Sequence, residues 1–443
     1  MLNPEIIALF QCVEQTLNTT TLRQLKIVVT AMLAMTGRVT MLGLSRWSEK
    51  GGSYRTIQRL YNSNINWDWL NWQLVKHHIW NGKSELVLAG DETVVTKAGK
   101  ETHGLDRFFS SIAGRVVPGL SFFAISVIHP VRRFSSVISM TQLSREQSTS
   151  SKSRPKAKKE KSKKKKGKPG RPKGSKNKNR RDVVLPSHLQ HIQKRLEEVL
   201  ALLGETVSVG YCLLDGAFGN NNAVQMVRRC GLQIVSKLRR DSALYLPFTG
   251  EQKKQGRRRK YGDRLDFAKL PTTFCVSEET VDGIWTRIYN MSCWHKSFAD
   301  QLNVVVIVKV NLQTQQQAHV VLFSSDLELA WNKLIDFYAL RFQIEFNFRD
   351  AKQFWGLEDF MNVKEVPVYN AANLAMFMVN VSQALRCSAP GLPQTVLDLK
   401  ARYRGLWYAR RLLNCLPDTL DPLFIDQFFA KAASLGMIHP SQT

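Results

Sequence analysis

The spacing of apolar positions divides the chain into blocks of different period. Residues 1 to about 80 follow a helical period. Leu22-Arg23-Gln24-Leu25-Lys26-Ile27-Val28 continues apolar through Leu33, and Ile65 to Ile79 carries Trp67, Trp69 and Trp72. Between them Gly51-Gly52 marks a turn, and Ser53 is placed to cap a helix over Tyr54–Tyr61. Arg55 and Arg59 are four apart and share a face of that helix. Two readings stand: a helix-turn-helix-like module whose helix enters a DNA groove, or a solvated helix face.

The period then shortens to that of strands. Glu85-Leu86-Val87-Leu88-Ala89-Gly90-Asp91 is an apolar run ending in an acid. Leu120–Ile128 and Phe134–Leu143 follow, and three strands in a row predict an antiparallel meander. Leu189, Ile192, Leu196, Val199, Leu200 and Leu203 predict an amphipathic helix over 186–204. Val207–Asp215 is a second strand ending in an acid, followed by a short helix over Asn221–Cys230 and a strand over Leu232–Leu238. Residues 246–323 are β-rich with basic turns, one long helix is predicted from about Leu327 to Trp355, and 367–443 is mostly helical.

Charge alters this picture in one place. The 443 residues carry 63 Lys+Arg against 36 Asp+Glu, a net +27, which favours a polyanionic partner and says nothing about fold. Seventeen of those basic residues lie between Lys152 and Arg181, beside the single acid Glu160. That stretch, within 146–182, has nothing to bury and is expected to be a disordered, phosphate-binding insertion. Inside it Gly170-Arg171-Pro172-Lys173 resembles the core of a hook that presses Arg171 and Lys173 into a narrow minor groove. The seven cysteines form no Cys-x-x-Cys pair, so neither a zinc site nor a disulfide framework is indicated. No run approaches the ~18 apolar residues of a membrane helix, and no secretory signal is visible. The expected place is the cytoplasm, on the nucleoid, away from any membrane.

Asp91 and Asp215 each end a predicted strand. Such acids either hold a hard divalent cation at an open sheet end or simply favour the turn that follows. The long helix bears on the choice. At ~100° per residue Tyr338, Arg341, Glu345 and Lys352 fall near 0°, 300°, 340° and 320°. Trp331, Leu334 and Phe342 fall on the same side, so the face is predicted to point inward. Glu345 there calls for a partner: Arg341, as an ion pair four residues apart, or a metal.

Tyr-x2-Arg-x3-Glu-x6-Lys, here Tyr338, Arg341, Glu345 and Lys352, resembles the signature of a large group of bacterial insertion-sequence DDE transposases. Asp91-Glu92-Thr93 and Asp215-Gly216-Ala217-Phe218 are similar to that family's other two motifs, and the resemblance covers roughly 85–360. It implies a mixed α/β fold: an RNase H-like five-stranded sheet flanked by helices. The helical DNA-binding region would span 1–80 and the catalytic domain 81–375. That domain is interrupted at 146–182 and by a β-rich insertion at 246–323, and a helical region follows over 376–443. It implies Asp91, Asp215 and Glu345 as catalytic ligands of two Mg²⁺ or Mn²⁺ ions, with Tyr338, Arg341 and Lys352 on DNA phosphates. The implied activity is strand cleavage and strand transfer at inverted-repeat ends by a homodimer on double-stranded DNA. The alternatives are an inactive relative that only binds DNA, and a nuclease of the same fold without strand transfer. Trp285 and Trp294, in the insertion, are either core residues or platforms for a flipped base.

Overall fold

The computed structural model describes residues 4–14, 17–48, 51–80, 82, 85–110, 114–143, 180–205, 207–387, 395–414, 421–435 and 437. Arg171, Lys173 and the rest of the lysine-rich stretch up to residue 179 lie outside the described residues. Five helices come first: α1 (Pro4–Leu9), α2 (Thr19–Ala34), α3 (Met41–Trp47), α4 (Tyr54–Tyr61) and α5 (Trp67–His78). Strands β1 (Leu86–Thr96), β2 (Asp106–Ser110), β3 (Arg115–His129) and β4 (Phe134–Leu143) follow, then α6 (Ser187–Leu203), β5 (Val209–Leu214), α7 (Asn221–Arg229) and β6 (Gln233–Leu238). The next strands are β7 (Leu244–Pro247), β8 (Tyr261–Arg264), β9 (Cys275–Val281), β10 (Ile284–His295), β11 (Leu302–Asn311) and β12 (Gln317–Ser324). Helices α8 (Trp331–Leu340), α9 (Gln343–Phe354), α10 (Glu365–Cys387), α11 (Val396–Leu413) and α12 (Pro422–Ser434) complete the described chain.

The architecture is mixed α/β with one large open sheet. Its order is β2-β3-β1-β5-β6-β12-β11-β10-β7-β8, with β4 also on β3 and β9 on β10. The predicted meander is present: β1 pairs antiparallel with β3, and β3 antiparallel with β4. β5 then joins β1 in parallel, and β6 joins β5 in parallel. The β-rich segment after β6 does not stand apart from this sheet. β12 pairs antiparallel with β6, β11 with β12 and β10 with β11, so the sheet of five expected strands grows to twelve among the described residues.

β3 is buried at every position from Gly119 to His129, which covers both of its faces. One cover is α10, whose middle is almost wholly buried although it carries Asn370, Asn373 and Asn380. Asn380 and Asn370 each meet a local need, and Asn373 Nδ2 donates to Met140 O on β4 (3.2 Å). β3–β4 pairing shifts register between Ile125 and Ser126, and the ladder skips Ile138 on β4. Asn380 binds the residue before it: its Oδ1 accepts from Val137 N (3.1 Å), and its Nδ2 donates to Val137 O (2.6 Å) and to Asn71 Oδ1 (2.8 Å). Asn71, on α5, donates onward to Ile138 O (3.3 Å). Asn370 accepts from Trp67 Nε1 (2.8 Å) and donates to Tyr61 O and Ser63 O (2.8 Å each). Helix α10 is thus hydrogen-bonded to both the sheet and the N-terminal helices.

The N-terminal and C-terminal helices share one core, continuous from Ile6 to Tyr403. Lys400 on α11 donates to Met32 O at the end of α2 (2.8 Å), and burial lowers its pKa to about 8. Ser53 caps α4 as expected, with Oγ accepting from Thr56 N (3.3 Å).

One element departs from expectation. The predicted helix over 327–355 is two helices, α8 and α9, with a tight turn at Arg341–Phe342. There the bonds close over three residues: Ile344 N to Arg341 O (3.2 Å) and Glu345 N to Phe342 O (3.1 Å). The two halves follow different parts of the sheet. α8 packs on β5, β6, β11 and β12; α9 packs on β1, β4 and α10. The buried stripe is therefore Leu334, Phe337, Leu340, Ile344 and Ala351, while Phe342 is exposed.

Removing the Asn380 side chain strands the carbonyl and amide of Val137 and the amide of Asn71. Asn380→Ala is expected to lower unfolding free energy by about 2–4 kcal/mol, read as a lower urea midpoint, because buried groups lose their partners. An unchanged midpoint would show that water satisfies Val137 in place of Asn380.

Candidate active site

The parallel pairing of β1 and β5 puts the two aspartates side by side. Gly90 is level with Leu214, so Asp91 and Asp215 occupy successive positions on neighbouring strands, ~4.8 Å apart in the backbone. Gly90 makes room for the packing beneath them: a Cβ there would lie 2.6 Å from Phe123 Cζ and 2.9 Å from Leu214 Cδ2. Asp91 does not end its strand as expected, because β1 runs on to Thr96. Its second half alternates in burial and keeps pairing with β3. Asp215 does follow its strand directly and caps a short turn, Oδ1 accepting from Ala217 N (3.0 Å). Ser236 Oγ on β6 donates to Asp215 O (2.7 Å) and pins that turn to the sheet.

Glu345 arrives from the first turn of α9. Asn347, buried two residues on, donates to the Ser135 and Ser126 hydroxyls and fixes α9 against β3 and β4. Arg341, in the turn between α8 and α9, joins the acids. Its Nη1 donates to Asp91 Oδ2 (3.0 Å) and its Nη2 to Glu345 Oε1 (2.8 Å). The Arg341 side chain is only 12% exposed and that of Asp91 15%, but that of Glu345 is 39% exposed. Glu345 is thus at the rim, not on the buried stripe that helical periodicity predicted; the break at Arg341–Phe342 turns it outward. The expected Arg341–Glu345 pair is present, and it reaches across to β1 as well.

Burial raises the Asp91 pKa to about 6, the charges of Asp215 and Glu345 adding to the effect and Arg341 opposing it. Burial likewise raises that of Tyr338, whose ring lies 5.8 Å from the Arg341 guanidinium. Lys352 takes another position. Its Nζ donates to Val94 O (3.0 Å) and pairs with Glu358 (3.3 Å), so it ties α9 to β1 beyond the acids. The structure thus gathers Asp91, Asp215, Tyr338, Arg341 and Glu345. Among the described residues, no three His, Cys, Asp or Glu side chains are close enough to hold a metal ion as they stand.

Other expected DNA contacts lie elsewhere. Arg55 and Arg59 are exposed on α4, on the side opposite the buried Ile57 and Leu60. Trp285 is engaged, its Nε1 donating to Glu278 (2.9 Å) with the Arg287 guanidinium 4.0 Å from its ring. Trp294 is flanked by Lys260 (4.8 Å) and Tyr261 (6.1 Å).

Sequence reading passed over a basic cleft beside the acids. The backbone of Lys237 crosses under the Asp215 turn, where a Cβ on Gly219 would sit 2.3 Å from Lys237 O. Lys237, Arg239, Arg240 and His319 line a cleft of about 520 Å³ just beyond it. His319 is held by Arg240 O (2.9 Å) and by stacking on Phe267 (4.7 Å). A neighbouring cavity of about 300 Å³, lined also by Lys309, leads to Tyr338. The signal was present as Lys-x-Arg-Arg at the end of the strand after Asp215, but its position emerges only when β6 is paired with β5 and β12.

Comparison with known proteins gives a family model, described as DDE superfamily endonuclease, that matches residues 9–291. The matched span contains Asp91 and Asp215 and ends before Tyr338. A search of curated proteins gives no match.

The raised pKa of Asp91 sets a pH dependence. The folded state holds the proton more tightly than the unfolded chain. The associated stability is therefore present below about pH 4 and is lost as pH rises through about 6. Asp91→Asn is expected to be more stable than wild type at pH 8, on the order of 2 kcal/mol, with the difference vanishing near pH 4. Urea melts at both pH values check this; a variant less stable at pH 8 would mean that Arg341 outweighs burial.

Proposed function

The chain belongs to the DDE superfamily of endonucleases, and from that premise we propose that it is a DNA transposase with Asp91, Asp215 and Glu345 as its catalytic ligands. It cuts and joins DNA at the inverted-repeat ends of an insertion sequence, working as a homodimer on double-stranded DNA. The observation that carries this reading is the placement of Asp91 and Asp215 each one position beyond the paired Gly90 and Leu214 of parallel β1 and β5, with Glu345 linked to Asp91 through one guanidinium. The strand order β4-β3-β1-β5-β6 supports an RNase H-like core, with β7–β12 as an elaboration inserted before α8. In this reading residues 81–375 form the catalytic unit, 246–323 its β-rich insertion and 1–80 a DNA-binding region.

The donor set suits two hard divalent cations, Mg²⁺ or Mn²⁺: every ligand atom is a carboxylate oxygen, and a single guanidinium bonds two of the three acids. The charge of Asp91 is unfavourable as it stands, which a bound cation would relieve. When bound, such ions activate a hydroxyl nucleophile and stabilise the leaving oxygen of an in-line displacement at phosphorus. The remaining work falls to the chain. The β1–β5 pairing and the Ser236 bond hold the aspartates in place, and Asn347 and Lys352 hold α9 on the sheet. Arg341 and Tyr338 face the reacting phosphate, and Lys237, Arg239 and Arg240 receive the backbone of the same strand.

Two measurements test this. Nicking and joining of DNA carrying the element's own ends should fall at least ~10³-fold in Asp91→Ala, Asp215→Ala and Glu345→Ala, at unchanged DNA affinity. Activity surviving in all three would sink the proposal, and cleavage without joined products would make the protein a nuclease only. Separately, replacing Lys237, Arg239 and Arg240 together by alanine should flatten the slope of log affinity against log salt by about 2–3. A slope equal to wild type would remove the cleft from the DNA path.

A further inference from the structure

Resting on the metal-ion reading above, we infer that Arg341 is a gate on the metal site, a built-in cation that closes the carboxylates until a DNA phosphate draws it away. The geometry is that of a plug. One guanidinium uses two nitrogens on two acids, Asp91 at 3.0 Å and Glu345 at 2.8 Å, brought from a strand and a helix 254 residues apart in sequence by the numbering of the chain. A divalent ion would bind the same two carboxylates at ~2.0–2.6 Å, and the other Asp91 oxygen, Oδ1, already accepts from Glu92 N (2.8 Å). Arginine and metal therefore compete for one place, in keeping with the lack of a ready-made ligand cluster among the described residues.

Three features make the plug removable. Arg341 Nε is buried and has no hydrogen-bond partner, so the guanidinium is not fully satisfied where it lies. A phosphate would take a bidentate pair from the same fork and give that donor an acceptor. Arg341 also lies at the junction of α8 and α9, where the helical bonding is interrupted, so its rotation does not require either helix to unwind. Finally, one guanidinium offsets one of three carboxylate charges, and with the arginine gone all three are uncompensated, so the site attracts a dication. The device makes metal loading conditional on DNA, which keeps an unengaged nuclease centre unloaded. The competing view is that Arg341 permanently ties α9 to β1.

The two views differ in metal binding, which is read without any activity. Mn²⁺ is titrated into the full chain, with free Mn²⁺ followed by electron paramagnetic resonance, in the absence and presence of a short DNA duplex. Wild type alone should bind weakly, and DNA should tighten its Mn²⁺ affinity about 10-fold or more, Mn²⁺ tightening DNA by the same factor. Arg341→Gln should bind Mn²⁺ about 10-fold more tightly than wild type without DNA and gain little when DNA is added. Arg341→Lys, which keeps the charge but not the fork, should fall between them; circular dichroism melts establish that both variants are folded. Equal or weaker Mn²⁺ binding by folded Arg341→Gln without DNA overturns the gate while leaving the metal-ion reading intact. Absence of Mn²⁺ binding in every arm overturns the metal-ion reading itself and the gate with it.

Discussion

The parallel pairing of β1 with β5 is the constraint on which the rest of the site depends. It sets Gly90 beside Leu214 and therefore Asp91 beside Asp215. Two carboxylates at that spacing repel, and burial of Asp91 adds to the cost. Within the sheet only the Glu92 amide eases the cost, donating to Asp91 Oδ1 (2.8 Å). The larger relief comes from outside it, from Arg341, and Arg341 brings Glu345 along. The acids and their counter-cation thus follow from one backbone register and the charge it concentrates.

That register is braced from the far side of the meander. β3 is buried on both faces, and β4, its partner, changes register where Asn380 and Asn71 bond the backbone of Val137 and Ile138. Burying asparagines in α10 is unfavourable unless each of them is bonded, and here they bond both the sheet and the N-terminal helices. The same helix packs on α9, which carries Glu345. Asn347 gives α9 a second anchor on β3 and β4, so the third acid is held by the elements that hold the meander.

The positive charge acts at several distances. The lysine-rich stretch carries much of the net charge but no chemistry. Lys237, Arg239 and Arg240 are fewer, yet they begin directly under the Asp215 turn. Arg341 is a single charge placed between the acids themselves. In the proposed function, long-range attraction, backbone grip and control of the centre would thus fall to separate groups of residues.

The sequence by itself determined what local periodicity and spacing can express. It marked the strands β1, β3, β4 and β5, the helix α6, the cap at Ser53 and the four-residue pattern from Tyr338 to Lys352. Those features depend on neighbours within a few residues, so they are legible without the fold. It placed Asp91 at a strand end because the apolar run stops there, although pairing with β3 carries β1 on to Thr96. It drew one helix through Arg341, because periodicity cannot register that α8 and α9 pack on different parts of a twisted sheet. Only the tertiary structure decided that Lys352 reaches Val94 rather than the acids, that Lys237 lies beneath Asp215, and that Arg341 spans Asp91 and Glu345. Each of these is a contact between residues distant in the chain, set by strand register and helix docking.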